Sequence, residues 1–244
     1  QNGLIAACRF DIASLHRGDE KLLEVRDFRQ GLALVQRHSW LTATFAEVLY
    51  ARVIETSLGM AISERAAALR TLALQLNWVA TEALWAHLDA EIAGAPSDAL
   101  IKRERALDAL EALTGARMHT TFVRIGGVAA DLPEGFTQSL AHIDDPRVNA
   151  AYDAVVMSSG ALQIQLPKVL RLPEGETYAE IETPHGSLGC WVFGAGDKVP
   201  HRLHLRTPGF AALATLERDA IGAVPREWFM MLAHTRLALG EVAR

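Results

Sequence analysis

Cysteine is almost missing from this chain: Cys8 and Cys190 are its two thiols in 244 residues. That is too few for a disulfide framework, and it fits a reducing compartment. It also leaves no soft-metal site. There is no CxxC and no HExxH, and neither cysteine has a second one nearby. Nine histidines do not repair this. His201 and His204 lie in a strand-like stretch at i and i+3, so they point to opposite faces and cannot chelate one ion together. The chain also lacks a GxSxG elbow and a GxxxxGK[ST] phosphate loop, and Gly126-Gly127 is not followed by the other glycines of a dinucleotide fingerprint. No residue pattern therefore supports a free-standing hydrolase, kinase or dehydrogenase.

Other absences narrow the reading further. Arg, Glu, Gln or Asp interrupts every apolar run before membrane-spanning length, so no transmembrane helix is expected. There is no basic excess. A net charge of −5 disfavours a nucleic-acid partner, whose phosphates need cations to neutralise them. The opening Gln-Asn-Gly-Leu shows no basic stretch followed by an apolar one, so no signal peptide is expected. It has no initiator Met either, which suggests a natural start further upstream.

What the chain does have is apolar material and helical periodicity. Half of the residues are hydrophobic, 22% are charged, and the mean hydropathy is +0.12. Either the core is large and rich in Ala and Leu, or part of the apolar surface is reserved for partner subunits. Apolar residues recur at helical spacing from Asp19 to Arg37 and again from Thr42 to Leu58, where Gly59 suits a helix end. Ser63 is a good N-cap for a long third helix to about Ile92, broken by Gly94-Ala95-Pro96. Ser97 opens a fourth, closed by Gly115. A glycine- and proline-bearing loop spans Thr121 to Pro133, and a fifth helix starts at Asp145-Pro146 and is expected to reach about Gln165. From Tyr178 the pattern turns strand-like. Leu188 to Phe193 and Arg202 to Arg206 flank a Gly194–Asp197 turn as a hairpin. Pro225 to Leu239 reads as helix, ending at Gly240. The expected fold is mainly α (α+β), with an antiparallel helical bundle core and a small C-terminal antiparallel β hairpin region. We expect a single domain over 1–244: helical core at about 19–165, β-rich segment at about 168–210, C-terminal helices at 211–244.

Several longer strings are more specific than any of these motifs. Leu15-His-Arg-Gly-Asp-Glu-Lys-Leu-Leu-Glu24 opens the first helix. Leu113-Thr-Gly-Ala-Arg-Met-His119 is followed by Val123-Arg-Ile-Gly-Gly-Val128 and Asp131-Leu-Pro133. Then come Glu182, Pro184, Gly186 and Gly189, Pro200-His-Arg202, Leu205-Arg206-Thr-Pro208-Gly-Phe210 and finally Gly240-Glu-Val-Ala-Arg244. In this order, from His16 onward, they resemble the quinone-site subunit of respiratory complex I, the NADH-quinone oxidoreductase. The large subunit of energy-converting NiFe hydrogenases shares that fold.

The resemblance implies a subunit within an NAD-dependent quinone oxidoreductase complex. It would sit peripherally on the cytoplasmic side of the membrane and associate through its partners, the first being a small iron–sulfur subunit. Arg17, His119 and Arg124 would face that subunit's terminal cluster, and Trp40 and Asp89 the quinone pocket. No cofactor is expected on this chain alone, and a quinone is expected only at the interface with the iron–sulfur subunit. The departures matter as much. The hydrogenase family binds nickel and iron through two CxxC motifs. Here the first falls on Ser39 and Thr42, and Gly240-Glu-Val-Ala-Arg244 offers no second, so neither a metal nor hydrogenase activity is expected. The family's quinone-binding Tyr corresponds to Trp40, which offers an N–H donor but no phenolic proton. A His-bearing loop of the family is expected upstream of Gln1. A large block between the Asp-Leu-Pro loop and the strands has no counterpart.

Each residue also has a plain structural reading: Arg17 as a surface charge at a helix start, His119 as a hydrogen-bonded loop residue, Asp89 as a solvated partner for a Lys or Arg. The leading reading is a nickel-free redox-complex subunit near an electron-exit pocket. The alternative is a non-catalytic homologue that scaffolds or assembles such a complex.

Overall fold

The computed structural model describes residues 3–242 apart from Ala13 and Leu15. Leu15, Ala243 and Arg244, which belong to the sequence strings above, lie outside the described residues. The α+β class holds.

The first expected helix is two. α1 (Asp19–Glu24) stops and α2 (Phe28–Val35) restarts, because the Asp27 carboxylate takes the N–H groups of Arg29 and Gln30 and so caps a new helix. Across the pair, Leu23, Phe28, Leu32 and Val35 are all buried. A short 3-10 turn (Trp40–Thr42) leads into α3 (Ala43–Ser57), in which twelve of 15 residues are buried. A helix buried on every side belongs in the middle of a fold, and α3 is packed by α2, by the long α4 (Glu64–Ala93) and by a sheet. Ser63 caps α4 through Ala66 N–H, as its position in the sequence suggests. α4 and α5 (Ala99–Thr114) form an antiparallel pair across a short link, and Gly115 ends α5 in the left-handed region.

The loop from Thr121 contains structure that its glycines and proline concealed. β1 (Val123–Arg124) and β2 (Gly127–Val128) form a tight hairpin, followed by α6 (Thr137–Leu140) and α7 (Pro146–Met157). The fifth helix therefore ends well short of Gln165. Residues 162–164 are extended instead and run alongside β2, with Val128 N–H bonded to Leu162 O and Ile164 N–H to Gly126 O. A Cβ on Gly127 would meet that Leu162 oxygen at 2.0 Å, so only glycine admits this approach.

The β-rich region is a three-stranded sheet in order β3-β4-β5, one strand more than a hairpin: β3 (Gly175–Thr183), β4 (Gly186–Gly194), β5 (Arg202–Arg206). β4 and β5 pair as expected, Cys190 opposite Leu205. Leu188, Cys190, Val192, Leu203 and Leu205 alternate onto the buried face and join the same core as α3 and α4. β5 is an edge strand, and α1 closes that edge: Glu24 accepts Leu203 N–H and Glu20 accepts Leu205 N–H. The C-terminal region is α8 (Pro208–Ala220), α9 (Pro225–His234) and α10 (Leu239–Val242). Gly240 does not end a helix. It lies within α10, against the His38 carbonyl, where a Cβ would come within 2.5 Å.

Candidate functional site

After Gly115 the chain runs through Arg117 to Thr121 into β1, and two of these residues hold backbone angles that side chains disfavour. His119 has φ 54° and Thr121 φ 45°. For a β-branched residue the left-handed region is a true outlier, so something must hold the loop there. Glu47 does. It stands on the central α3 with no solvent exposure. It accepts Thr121 N–H at 2.6 Å and Val123 N–H at 3.2 Å, and the Thr120 hydroxyl lies at 3.2 Å from both of its oxygens. Burial pushes the Glu47 carboxyl up to about 7, against the opposing pull of those N–H groups, the hydroxyl and the Arg124 charge.

The loop presents His119 half-buried, with Nδ1 lacking a partner among the described residues. Burial, and then the charge of Arg37, hold its imidazole below the ordinary histidine value, so the neutral ring is favoured. Arg37 is also where Arg17 arrives. The Arg17 guanidinium donates to the Arg37 carbonyl at 3.2 Å and to the Gly240 carbonyl at 3.3 Å, and pairs with Asp19 at 2.7 Å. Asp19 in turn meets His38 Nδ1 at 3.2 Å. Arg124 is exposed on β1, and its carbonyl is tied down by buried Arg70. Arg17 and His119 are thus linked through Arg37, while Arg124 acts on Glu47, the residue that holds the His119 loop.

Trp40 and His119 are brought together as well. Both line a cavity of about 10 Å³, with Thr44, Asn77, Arg103 and Met118 among its walls. That volume holds a single water at most. A quinone ring does not fit it. Asp89 does not line this cavity. It lies near the end of α4, facing His234 at 3.8 Å and Arg236 at 3.6 Å, which is the plain charge-pairing arrangement.

A second cluster was not visible in sequence. Ser39 donates to Glu241 Oε1 at 2.6 Å, and Ser39 and Thr42 share a hydrogen bond. Gly209 N–H reaches Glu241 Oε2 at 3.1 Å. Trp85 Nε1–H donates to His185 Nε2 at 3.0 Å, which leaves His185 Nδ1 to carry the proton toward Glu241 at 3.4 Å. Ser39 and Thr42 thus meet α10 in space, and what meets there is two hydroxyls and a carboxylate already engaged with one another. Sequence offered one signal for Glu47, a carboxylate set among apolar residues on a helix that is apolar on nearly every side. It offered none for Glu241 and His185, which are partnered only by the fold.

Fold and site together describe a helix-rich protein whose His119 loop is held from beneath by a buried carboxylate. The family model described as respiratory-chain NADH dehydrogenase, 49 Kd subunit, matches residues 97–157 and 161–244. The chain belongs to that family. The D-type subunit of NADH-quinone oxidoreductase from Carboxydothermus hydrogenoformans is 26% identical, over 95% of this chain and 89% of its own. A D-type subunit of the same enzyme from Salinispora tropica is 28% identical over 84% and 78%, and that of Bacillus cytotoxicus 24% over 95% and 89%. The first match runs over 324 residues, more than this chain contains, so that relative carries internal segments with no counterpart here. The family match is interrupted at 158–160, the turn where α7 gives way to the extended stretch beside β2.

Proposed function

We propose that this chain is a nickel-free subunit of a complex-I-like, membrane-associated oxidoreductase, and that it packs its Arg17–Arg37–His119–Arg124 edge against an iron–sulfur subunit. The observation that carries the reading is the convergence at Arg37: Arg17 binds its carbonyl, and its charge acts on His119. A cluster held by the partner supplies one-electron transfer. The residues of this chain supply electrostatics. A cationic edge favours the more negative reduced state, and a histidine held neutral at rest has a site free for the proton that follows the electron.

The donor chemistry of the hydrogenase-like position supports the nickel-free part. Ser39, Thr42 and Glu241 are hard oxygen donors, and their lone pairs and protons are committed to each other and to Gly209. Elemental analysis of the purified chain should find less than about a tenth of a nickel per chain, on the order of adventitious binding. One nickel per chain with hydrogen uptake would overturn this.

A second reading, a scaffold without electronic influence, is favoured by one observation: Arg17 commits its guanidinium to two carbonyls and Asp19, pinning the N-terminal stretch, α2 and α10 together. Arg124 and His119 separate the two, because neither side chain pins the fold in that way. In the intact complex, a redox titration of the partner's cluster followed by electron paramagnetic resonance should show a lower potential in Arg124→Met, which loses a cation. His119→Met should flatten the dependence of the potential on pH. Normally assembled variants with the parent's potential at every pH would establish the scaffold.

A further inference from the structure

The residue most closely tied to the presenting loop is one that family resemblance does not single out. We propose that Glu47 is the positioning residue of this edge: gain or loss of one proton at its buried carboxylate releases or tightens the 119–124 loop, and so moves His119 and Arg124 together. The inference rests on the preceding reading only for its consequence in a complex. The positioning itself is a property of this chain.

The geometry is that of a two-state anchor. Glu47 lies beneath the loop on α3, the most enclosed helix of the fold, and both of its oxygens are taken up by donors from three loop residues. Two of those donors are backbone N–H groups, which can give a hydrogen but cannot accept one. A charged carboxylate satisfies both of them. Protonation loads one oxygen with a hydrogen, for which the Thr120 hydroxyl is an available acceptor, and the backbone N–H bonds lose their charge-assisted strength. The loop it holds is strained at His119 and at Thr121, so the positions of both depend on the anchor.

The surroundings leave Glu47 free to titrate on its own. Burial opposes its charge while the loop donors and Arg124 of β1 favour it, and the balance falls at about 7. Arg37, at the end of α2, acts on His119. On α3 itself, Glu55 is closed off by both guanidinium nitrogens of Arg70 from α4, at 2.9 and 2.6 Å. Burial pushes the Tyr50 phenol of α3 up, and the Cys190 thiol of β4 up to about 12, so both stay neutral. The carboxylates of β3, Glu176, Glu180 and Glu182, lie on its solvent-facing side.

Amide hydrogen exchange of the full chain, read by mass spectrometry and corrected for intrinsic rate, tests this without any partner. Local release of the loop takes away the donors while α3 keeps Glu47 buried, unlike full unfolding. In the parent, peptides covering 119–124 should therefore gain roughly tenfold in protection between about pH 6 and pH 8, the size expected of one charge-assisted hydrogen bond. Peptides from α4 should show no such gain over that range, since they open only with the whole fold, whose stability does not rise there. Glu47→Gln should abolish the step and leave the loop weakly protected at both pH values. Glu47→Asp, which keeps the charge but shortens the reach, should retain a smaller step. A parent whose loop protection does not depend on pH overturns the proposal, whether or not the variants fold. So does a step that survives Glu47→Gln. The partner reading fails separately, in the redox titration of the complex.

Discussion

Arg70 sits almost wholly buried, its guanidinium bound to both oxygens of Glu55 and to the carbonyls of Arg124 and Gly127. A buried pair of this kind contributes little over an apolar replacement, yet breaking one half strands a charge. Arg70→Met should therefore cost about 3–5 kcal/mol in chemical denaturation. Adding Glu55→Leu should recover the part due to the stranded carboxylate, but not the part due to the Arg124 and Gly127 carbonyls and Gly126 N–H that the pair satisfies. If the double variant is no more stable than the single, the stranded carboxylate is not the cause. Glu47 sets a pH dependence with a definite sign. Its folded value, about 7, lies above the ordinary 4.5, so the folded state holds this proton more tightly than the unfolded one. Its contribution to stability is full below 4.5 and is lost as pH rises to about 7, on the order of 3 kcal/mol in all. Denaturation midpoints taken across that range should fall in the parent and stay flatter in Glu47→Gln. His119 works the other way, since its lowered value costs stability as pH falls below the histidine range.

At the scale of elements, local chemistry was legible wherever the signal was local. Ser63, Gly59, Gly94 and Gly115 mark the ends of α3, α4 and α5 as expected, because caps and left-handed glycines are short-range requirements. The errors came from contacts distant in sequence. Residues 162–164 carry a helix-compatible pattern but are drawn out by β2, where Gly127 and the preceding turn residue Gly126 leave room for them. Gly127→Ala should force the two segments apart, costing about 1–3 kcal/mol, typical of an overpacked site. Limited proteolysis should then cut near Leu162 while the α4–α5 pair stays intact. Unchanged stability in Gly127→Ala would show that the 162–164 pairing is dispensable.

For the whole molecule, what matters is how the ends of the chain are tied to the core. Glu241 bridges α10 to Ser39, Gly209 and His185, and Arg17 joins α10 to the end of α2. Leu213, Leu216 and Val242 form a small separate cluster with Phe10 and Ile12. Glu241→Ala should leave the Ser39 and Gly209 donors without an acceptor and free the C-terminal helices, lowering stability by about 1–3 kcal/mol. Faster tryptic cleavage at Arg226 or Arg236 would mark that release, and wild-type cleavage rates would count against the tie. α9 buries none of its residues and leaves Phe229 61% exposed. An apolar stretch that open fits a chain made to be covered by a neighbour.

By itself the sequence determined the helix-rich class, the long capped helices, the β4–β5 alternation, the family resemblance and the absence of metal-ligand spacing. All of these rest on composition, on short motifs or on neighbours a few residues apart. Only the tertiary structure decided that α1 closes the edge of β5, that Trp40 and His119 share a cavity while Asp89 stands elsewhere, and that Ser39 meets Glu241. The same is true of the Glu47 anchor. A buried carboxylate is defined by the donors that reach it, and those of Glu47 arrive from a loop more than seventy residues away along the chain. No periodicity in the sequence encodes that contact, because it exists only once α3 is enclosed and the loop has closed over it.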